Sequence, residues 1–180
     1  VVYIEPVRRH GWRALAKRTF DLVFAATLLL VTLPVIVVGG LLVRLTSPGP
    51  AFFWQLRVGR DGKPFRIVKL RTMVADAESR RSELESANES SGPLFKMRND
   101  PRVTRVGRFL RSTSIDELPQ LWNVLRGEMS VVGPRPALPS EVEMWPATLH
   151  QRLRVRPGLT GMWQVSGRSR AGFEEYVRLD

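Results

Sequence analysis

One uncharged apolar segment constrains this chain more than any other feature. It runs from Leu22 to Val43 as LVFAATLLLVTLPVIVVGGLLV, and its polar side chains are two threonines. A helix of this length rises about 33 Å, enough to cross a hydrocarbon core of ~30 Å. A cleavable signal peptide is the weaker interpretation, because the apolar region of such a peptide usually has only ~7–15 residues. The segment therefore predicts a helix that enters a membrane.

The charges that flank this segment bear on whether it spans the membrane or turns back. Basic residues precede it and follow it, namely Arg8, Arg9, Arg13, Lys17 and Arg18 on one side and Arg44, Arg57, Arg60, Lys63 and Arg66 on the other. Positive residues near a membrane segment stay on the cytoplasmic side, so a simple span would place one cluster on the wrong face. Pro34, near the middle, lacks the N–H that a helix needs and offers a place to bend. We therefore expect a re-entrant helix–break–helix, although length alone would suit a span.

The remaining chain predicts a small α+β domain that is mostly helical. The turn formers Thr46-Ser47-Pro48-Gly49-Pro50 end the apolar helix. Two short apolar runs between Ala51 and Met73, around the turn Gly59–Lys63, predict a pair of strands. Loops rich in glycine and proline follow Ser130, and rigid loops of this kind often carry function. We expect a linker over residues 1–16, a membrane hairpin over 17–46 and a globular domain over 47–180.

Charge and composition narrow the classes of partner. Lysine and arginine number 28 against 17 acidic residues, giving a net charge of +11, which favours nucleic acid, lipid head groups or phosphorylated ligands. A nucleic-acid module would not need the apolar segment, and the sequence lacks zinc-finger, homeodomain and RNA-recognition signatures. The absence of cysteine excludes disulfides, thiolate nucleophiles and zinc–cysteine sites. Any metal should therefore be a hard ion held by oxygen.

Four arginines recur at every third residue between apolar positions. They are Arg102, Arg105, Arg108 and Arg111. This spacing predicts an amphipathic helix with one basic side. That side would face solvent or lipid head groups, or one or two of its arginines would bind phosphate directly. A second helical stretch is expected from Ile115 to Leu125, and Gly127 should end it.

The adjacent carboxylates Asp116 and Glu117 are the strongest candidates for chemistry. Neighbouring carboxylates at a helix start can act as nucleophile, base or metal ligand. A structural alternative stays open, because Ser114 and Glu117 match the Ser-x-x-Glu capping box and acidic residues suit a first helical turn. Pro119 argues against a regular helix starting at Ser114, since it removes a backbone hydrogen bond early in that helix.

Basic residues in glycine- and proline-rich contexts form the complementary set of candidates. They are Lys69 and Arg71 in KLRTM, Arg135 in GPRP, Arg156 in RPGLTG and Arg168 in QVSGR. A guanidinium on a rigid loop suits bidentate recognition of phosphate. Two carboxylates, these cations and a membrane segment together suggest phosphoryl chemistry at the bilayer surface. A diphosphate substrate would recruit Mg²⁺, whose usual ligands are one or two carboxylates and phosphate oxygens.

At these motifs the chain resembles the bacterial sugar transferases called monotopic phosphoglycosyl transferases. The resemblance runs from Lys17 to the C-terminus and includes SPGPAFFWQLRVGRDGKPFRIVKLRTM, FKMRNDPRVTRVGRFLRSTSIDELPQLWNVLRGEMSVVGPRP and RPGLTGMWQVSGR. It implies a re-entrant helix in the bacterial inner membrane, with the active site on the cytoplasmic face. It also implies initiation of exopolysaccharide, capsule or O-antigen synthesis.

The resemblance implies a two-step reaction with a covalent intermediate. Asp116 would attack the sugar-bearing phosphate of a UDP-sugar and release UMP. The first candidate donor is a UDP-hexose such as UDP-glucose or UDP-galactose, and a UDP-linked N-acetylated sugar is the alternative. Undecaprenyl phosphate would then capture the phosphosugar and form a polyprenyl-diphosphate sugar. An aspartyl-phosphate step divides one exchange between two anionic partners into two.

Residue roles follow from the same resemblance. Asp116 is the nucleophile and Glu117 its partner, with Mg²⁺ at this pair. The phosphate and nucleotide pocket is completed by Lys69, Arg135, Gln164 and Arg168, with Arg71 and Arg156 as secondary candidates. Pro34 marks the break of the membrane helix. Anionic membrane lipids are further expected partners, and a homodimer is compatible with the sequence although no pattern specifies one.

The sequence departs from the family pattern at both ends. Larger members carry a multi-span domain upstream, so Val1 to Trp12 is interpreted as the tail of a preceding region. The chain stops within an apparent helix at Phe173–Asp180, where family members continue. The chain is therefore interpreted as a fragment. A membrane scaffold that only binds lipid phosphate stays an alternative, and it should tolerate Asp116→Asn.

Overall fold

A long N-terminal helix, α1, runs from Trp12 to Thr46 and carries the whole apolar segment. The computed structural model describes residues 11–80, 83–84, 97 and 99–162. These residues form a mixed α+β structure, mostly helical, in which α1 packs on a small domain of short strands and short helices. The helix ends at Thr46, within the predicted turn formers, and Ser47 is its C-cap residue.

The predicted break at Pro34 is not seen, because α1 continues through this residue. Proline removes one backbone N–H, so one hydrogen bond of the helix is lost. Packing holds the helix near the proline: Leu29, before it, is partly buried against the core of the domain, and Ile36, after it, is buried there. A single missing bond therefore does not divide α1 into two helices.

One side of α1 packs against the domain along most of its length. Its buried residues fall in two groups on one helix face, Asp21 and Ala25 in the first and Ile36, Gly39, Gly40 and Val43 in the second. The partly buried Leu28 and Leu29 pack against the core between these groups. The other sides expose large apolar residues, including Leu22, Val23, Leu30, Val31, Val37, Val38, Leu41 and Leu42. Such an extensive apolar surface indicates contact with something other than water.

The predicted hairpin after α1 is confirmed. Strand β1, Phe52–Val58, pairs in antiparallel register with β2, Pro64–Leu70, across the turn Arg60–Gly62. Asp61 adopts a left-handed conformation at φ 57° in this turn, which an aspartate tolerates better than most residues. Lys69 lies near the end of β2, and the hairpin brings it toward the middle of the domain.

A basic helix that is shorter than predicted precedes the acidic pair. Helix α2 spans Arg105–Thr113, and the hydroxyl of Thr104 caps it by accepting a hydrogen bond from the Gly107 N–H at 2.9 Å. Arg102 lies outside this helix and forms a buried ion pair with Asp100 at 2.7 Å. The predicted periodic arginines therefore do not all share one helix face.

The acidic pair lies in a 3₁₀ segment, Ile115–Gln120, called here the acidic turn. It leads into α3, Leu121–Arg126, which ends as predicted at Gly127. Gly127 has φ 79°, the left-handed conformation that favours glycine after a helix. The acidic turn and α3 together replace the single helical stretch expected from the sequence.

The region after Ser130 contains a second small sheet that was not predicted. Strand β3, Ser130–Val132, pairs in parallel with β4, Gly158–Thr160. Between them lie α4, Pro139–Glu143, and a 3₁₀ segment, Ala147–Arg154. A Cβ on Gly158 would lie 2.1 Å from the Gly133 nitrogen, so this close approach of two loops requires glycine.

Two apolar clusters hold α1, the hairpin and the acidic turn together. The first contains Ala25, Phe65, Ile67, Leu121, Val124, Met129 and Val131. The second contains Ile36, Val43, Leu70 and Leu110. Leu118 of the acidic turn packs against both clusters, so the position of the turn is fixed from two sides.

Candidate active site

The acidic turn presents its carboxylates because its apolar residues face the core. In a 3₁₀ helix, residues three apart lie on the same side. Ile115 and Leu118 are three apart, and both pack against the second apolar cluster. Asp116 and Glu117 therefore occupy the remaining sides of the turn. Ser114 begins the turn in a left-handed conformation at φ 61°, which reverses the chain after α2.

The capping-box alternative for Glu117 is not realised. The Ser114 side chain makes no N-cap hydrogen bond to the turn. Glu117 instead accepts a hydrogen bond from Lys69, with 2.9 Å between Nζ and Oε1. The side chains of Lys69 and Glu117 are 24% and 28% exposed, so this ion pair is accessible from solvent but partly shielded. Strand β2 and the acidic turn thus each supply one member of a charged pair.

Asp116 is the most unusual titratable group of the site. It is only 7% exposed. The pKa of Asp116 is raised to about 6, and burial is the largest cause. The neighbouring Glu117 also raises this pKa, while the positive charges of Lys69 and Arg111 lower it. At neutral pH the carboxylate is ionised but poorly solvated. Such a carboxylate is suited to attack an electrophilic phosphorus atom.

Arg111 is a neighbour of the site that the sequence did not single out. Its Nε donates a hydrogen bond to the Thr72 hydroxyl at 2.8 Å, and its charge acts on Asp116. In the sequence it was one of four arginines in a regular series. Its position in the last turn of α2, five residues before Asp116, is the signal that could have distinguished it.

The acidic pair offers a partial ligand set for a divalent cation. Among the residues described, no group of three or more His, Cys, Asp or Glu side chains could hold a metal. Asp116 and Glu117 supply two carboxylates, which fits Mg²⁺ when substrate phosphate oxygens and water complete the coordination.

Arg71, predicted as a phosphate ligand, contacts the backbone that follows α1. Its Nη2 donates to the Ser47 carbonyl at 2.7 Å, and its Nη1 donates to the Pro48 carbonyl. Gly49 adopts φ 110° beside this guanidinium, where a Cβ would meet Nη1. These contacts indicate that Arg71 fixes the exit of α1.

Arg156 and Arg135 also make contacts that stabilise the fold. Arg156 donates from Nε to the Gly127 carbonyl at 2.8 Å, close to where Arg18 donates to the Val124 carbonyl at 2.8 Å. Both arginines therefore satisfy carbonyls at the C-terminus of α3. Arg135 pairs with the buried Glu141, with 3.2 Å between Nη1 and Oε2.

The structure thus brings together three of the residues selected from the sequence, Asp116, Glu117 and Lys69. Arg71, Arg135 and Arg156 are engaged with the backbone or with Glu141 as described above. Gln164 and Arg168 lie outside the described residues. The site is thus a small cluster of acidic and basic side chains at the acidic turn. It lies in a domain whose helix α1 has exposed apolar sides.

Comparison with known proteins supplies the family. The model of the family described as "Bacterial sugar transferase" matches residues 12–180. This chain belongs to the bacterial sugar transferase family. The match includes α1, the hairpin and the acidic turn, so the described site lies within the family domain.

Three curated relatives agree with this assignment. The galactosyl transferase CpsE of Streptococcus agalactiae is 50% identical over 73% of the chain and 30% of its own length. The UDP-galactose-lipid carrier transferase of Erwinia amylovora is 43% identical over 96% of the chain and 36% of its own length. The undecaprenyl-phosphate galactose phosphotransferase of Salmonella typhimurium is 44% identical over 91% of the chain and 35% of its own length. The chain thus spans about a third of the length of these relatives.

Proposed function

We propose that this chain is the catalytic part of a phosphoglycosyl transferase. It would transfer a hexose-1-phosphate from a UDP-sugar to undecaprenyl phosphate, giving a polyprenyl-diphosphate sugar and UMP. This reaction would initiate the synthesis of exopolysaccharide, capsule or O-antigen. The observation that carries the proposal is Asp116, a nearly buried carboxylate beside the Lys69–Glu117 ion pair.

In the first step, a carboxylate oxygen of Asp116 attacks the phosphorus that bears the sugar. A bond forms between this oxygen and phosphorus, and the bond from phosphorus to the bridging oxygen breaks. UMP leaves with the bridging oxygen and its electron pair. In the second step, an oxygen of the lipid phosphate attacks the same phosphorus and releases Asp116 as a carboxylate. Partial burial of Asp116 leaves it less hydrated than an exposed carboxylate, which favours nucleophilic attack.

Charges around the acidic turn suit the transfer of an anionic group. Lys69 and Arg111 supply positive charge where negative charge accumulates on the phosphoryl oxygens, and fixed charges of this kind stabilise such transition states. Asp116 and Glu117 would hold Mg²⁺, which would neutralise the diphosphate of the donor. Arg135, Gln164 and Arg168 stay proposed ligands of the phosphates and nucleotide. The contacts of Arg71 and Arg156 are better explained by a role in stabilising the fold, because backbone carbonyls accept their hydrogen bonds.

The packing of α1 favours a re-entrant arrangement, with a bend at Pro34 inside one continuous helix, over a span. Its buried face contacts the domain from Asp21 to Val43, a rise of about 33 Å. A span of the hydrocarbon core would carry the charged domain into the bilayer along with the helix, which is very unfavourable. Shallow insertion leaves the domain in water and both basic flanks on the cytoplasmic side. We place the membrane segment at residues 17–46 and the catalytic domain at 47–180, at the inner membrane of a bacterium.

Release of UMP from a panel of UDP-sugars tests this function. The intact protein in nanodiscs with Mg²⁺ and undecaprenyl phosphate should release UMP from one or a few UDP-hexoses. The names of the Erwinia and Salmonella relatives make UDP-galactose the first donor to try. Asp116→Asn should abolish release, while Asp76→Asn, which changes an exposed carboxylate paired with Arg80, should not. Equal release by both variants would contradict Asp116 as the nucleophile. No release with any donor would leave the lipid-binding scaffold as the better explanation.

A further inference from the structure

A hydrophobic groove lies between α1 and the elements that carry the acidic turn. We call it the tryptophan groove, and its cavity volume is about 230 Å³. Its walls come from five elements and include Leu33, Ile36, Trp54, Val68, Pro119 and Trp122. The side chains that line it are hydrophobic, so a bound ligand would gain stability from burial of apolar surface.

One end of the groove adjoins the proposed catalytic residues. Pro119 belongs to the same 3₁₀ turn as Asp116, three residues along, which corresponds to a rise of ~6 Å. Residues three apart lie on the same side of a 3₁₀ helix, so Pro119 and Asp116 share one side of the acidic turn. A chain lying in the groove would therefore have its head close to the carboxylate that is proposed to carry the phosphosugar.

The other walls of the groove are open to the surroundings of α1. Trp54 and Trp122 are 52% and 49% exposed, and Leu33 is exposed to a similar degree. Leu30 and Val31 continue this apolar surface along α1. The groove thus connects the surface proposed to contact lipid with the acidic turn.

We propose that the tryptophan groove binds the first isoprene units of the polyprenyl phosphate acceptor. This proposal rests on the proposed function and specifies where the lipid substrate lies. The acceptor must bring its phosphate to the intermediate on Asp116 while its tail stays in the bilayer, and the groove joins these two places. The charges of Lys69 and Arg111 act at Asp116, which the acceptor phosphate must reach, and they attract a dianionic phosphate monoester more strongly than a monoanionic phospholipid diester. The indole faces provide flat, polarisable surfaces for the planar double bonds of isoprene.

The test separates the two half-reactions. Exchange of labelled UMP into the UDP-sugar requires the donor and Asp116 but no lipid, whereas net transfer requires the acceptor. Trp54→Ala and Trp122→Ala should raise KM for undecaprenyl phosphate about tenfold or more, with kcat changed less than about twofold. Exchange should be unaffected. Trp12→Ala is the matched control, since Trp12 is 74% exposed on α1 and lies outside the groove.

Leu33→Trp provides a second variant that fills the groove instead of emptying it, and it should also raise KM for the acceptor. An unchanged KM in the groove variants, equal to that of Trp12→Ala, would overturn the proposal. Loss of exchange together with transfer would also overturn it, because the groove would then support the acidic turn and not the lipid. Weaker binding to nanodiscs that lack undecaprenyl phosphate, without a change in KM, would assign the groove to ordinary phospholipid chains. Absence of exchange in the unmodified protein would instead refute the proposed function.

Discussion

Replacing the proposed nucleophile should make the protein more stable while removing its activity. A pKa of about 6 for Asp116, in place of the ordinary aspartate value of 3.8, means that the folded state disfavours the charged carboxylate. Each pH unit of difference corresponds to about 1.4 kcal/mol, so the ionised Asp116 costs about 3 kcal/mol at neutral pH. The amide of an asparagine cannot ionise, so Asp116→Asn should recover most of this free energy of unfolding.

The sign of the effect fixes its pH dependence. Because the folded-state pKa is raised, the protonated carboxyl stabilises the fold below pH ~4, and this contribution is lost as pH rises to about 6. The variant should therefore gain about 1 kcal/mol at pH 4.5 and about 3 kcal/mol at pH 8. For a chain of this size that corresponds to roughly 6–12 °C in Tm at pH 8.

Thermal unfolding of both proteins in one detergent, followed by tryptophan fluorescence between pH 4.5 and 8, measures this gain. Asp76→Asn serves as the exposed control, whose effect should be small at every pH, as is usual for surface ion pairs. A gain that does not grow with pH, or that matches the control, would refute the explanation of Asp116 by burial.

Three further predictions concern the site and its support. Lys69→Met should lower kcat/KM for the donor about 10²-fold or more, because the positive charge that stabilises the transition state is lost. Lys69→Arg should restore part of this activity. Equal rates of UMP release by Lys69→Met and the unmodified protein in steady-state assays would contradict the prediction. The rate of labelled UMP exchange should fall as pH drops below about 6, when Asp116 becomes protonated, and a rate that is flat from pH 5 to 8 would argue against this carboxylate as the nucleophile. Asp21→Ala should lower the free energy of unfolding by about 3 kcal/mol. The reason is that Asp21 is buried in α1 and accepts hydrogen bonds from the Ser130 hydroxyl at 2.9 Å and the Val131 N–H at 3.1 Å. Denaturant unfolding measures the loss, and a change below about 1 kcal/mol would contradict the prediction.

The sequence predicted the elements whose signal is local. The apolar run specified α1, and the apolar runs on each side of Gly59–Lys63 specified the hairpin. Gly127 correctly marked the end of α3. In each case the information lies in neighbouring residues, through hydrophobic periodicity or through the backbone freedom of glycine.

Elements that depend on distant partners were not predicted. Strands β3 and β4 have three residues each and pair across an intervening helix, so neither carries a recognisable alternation. The continuity of α1 through Pro34 likewise depends on packing against the domain, which outweighs the local preference of proline.

The site was predicted in residue type but not in environment. The adjacency of Asp116 and Glu117 was visible in the sequence, yet the pairing of Glu117 with Lys69 depends on strand β2 lying beside the turn. Arginines on rigid loops suggested phosphate ligands, but Arg71 and Arg156 bind backbone carbonyls. A guanidinium suits both partners equally, and only the three-dimensional arrangement selects between them.

Trapping the covalent intermediate tests the role of Asp116 most directly. The intact protein would be mixed with its UDP-sugar in the absence of lipid acceptor, quenched within a turnover and examined by intact-protein and peptide mass spectrometry. The expected result is an added mass of one hexose-phosphate on the peptide that contains Asp116, lost on addition of undecaprenyl phosphate and absent in Asp116→Asn. Transfer to the lipid without any such adduct, or an adduct on another residue, would contradict Asp116 as the nucleophile.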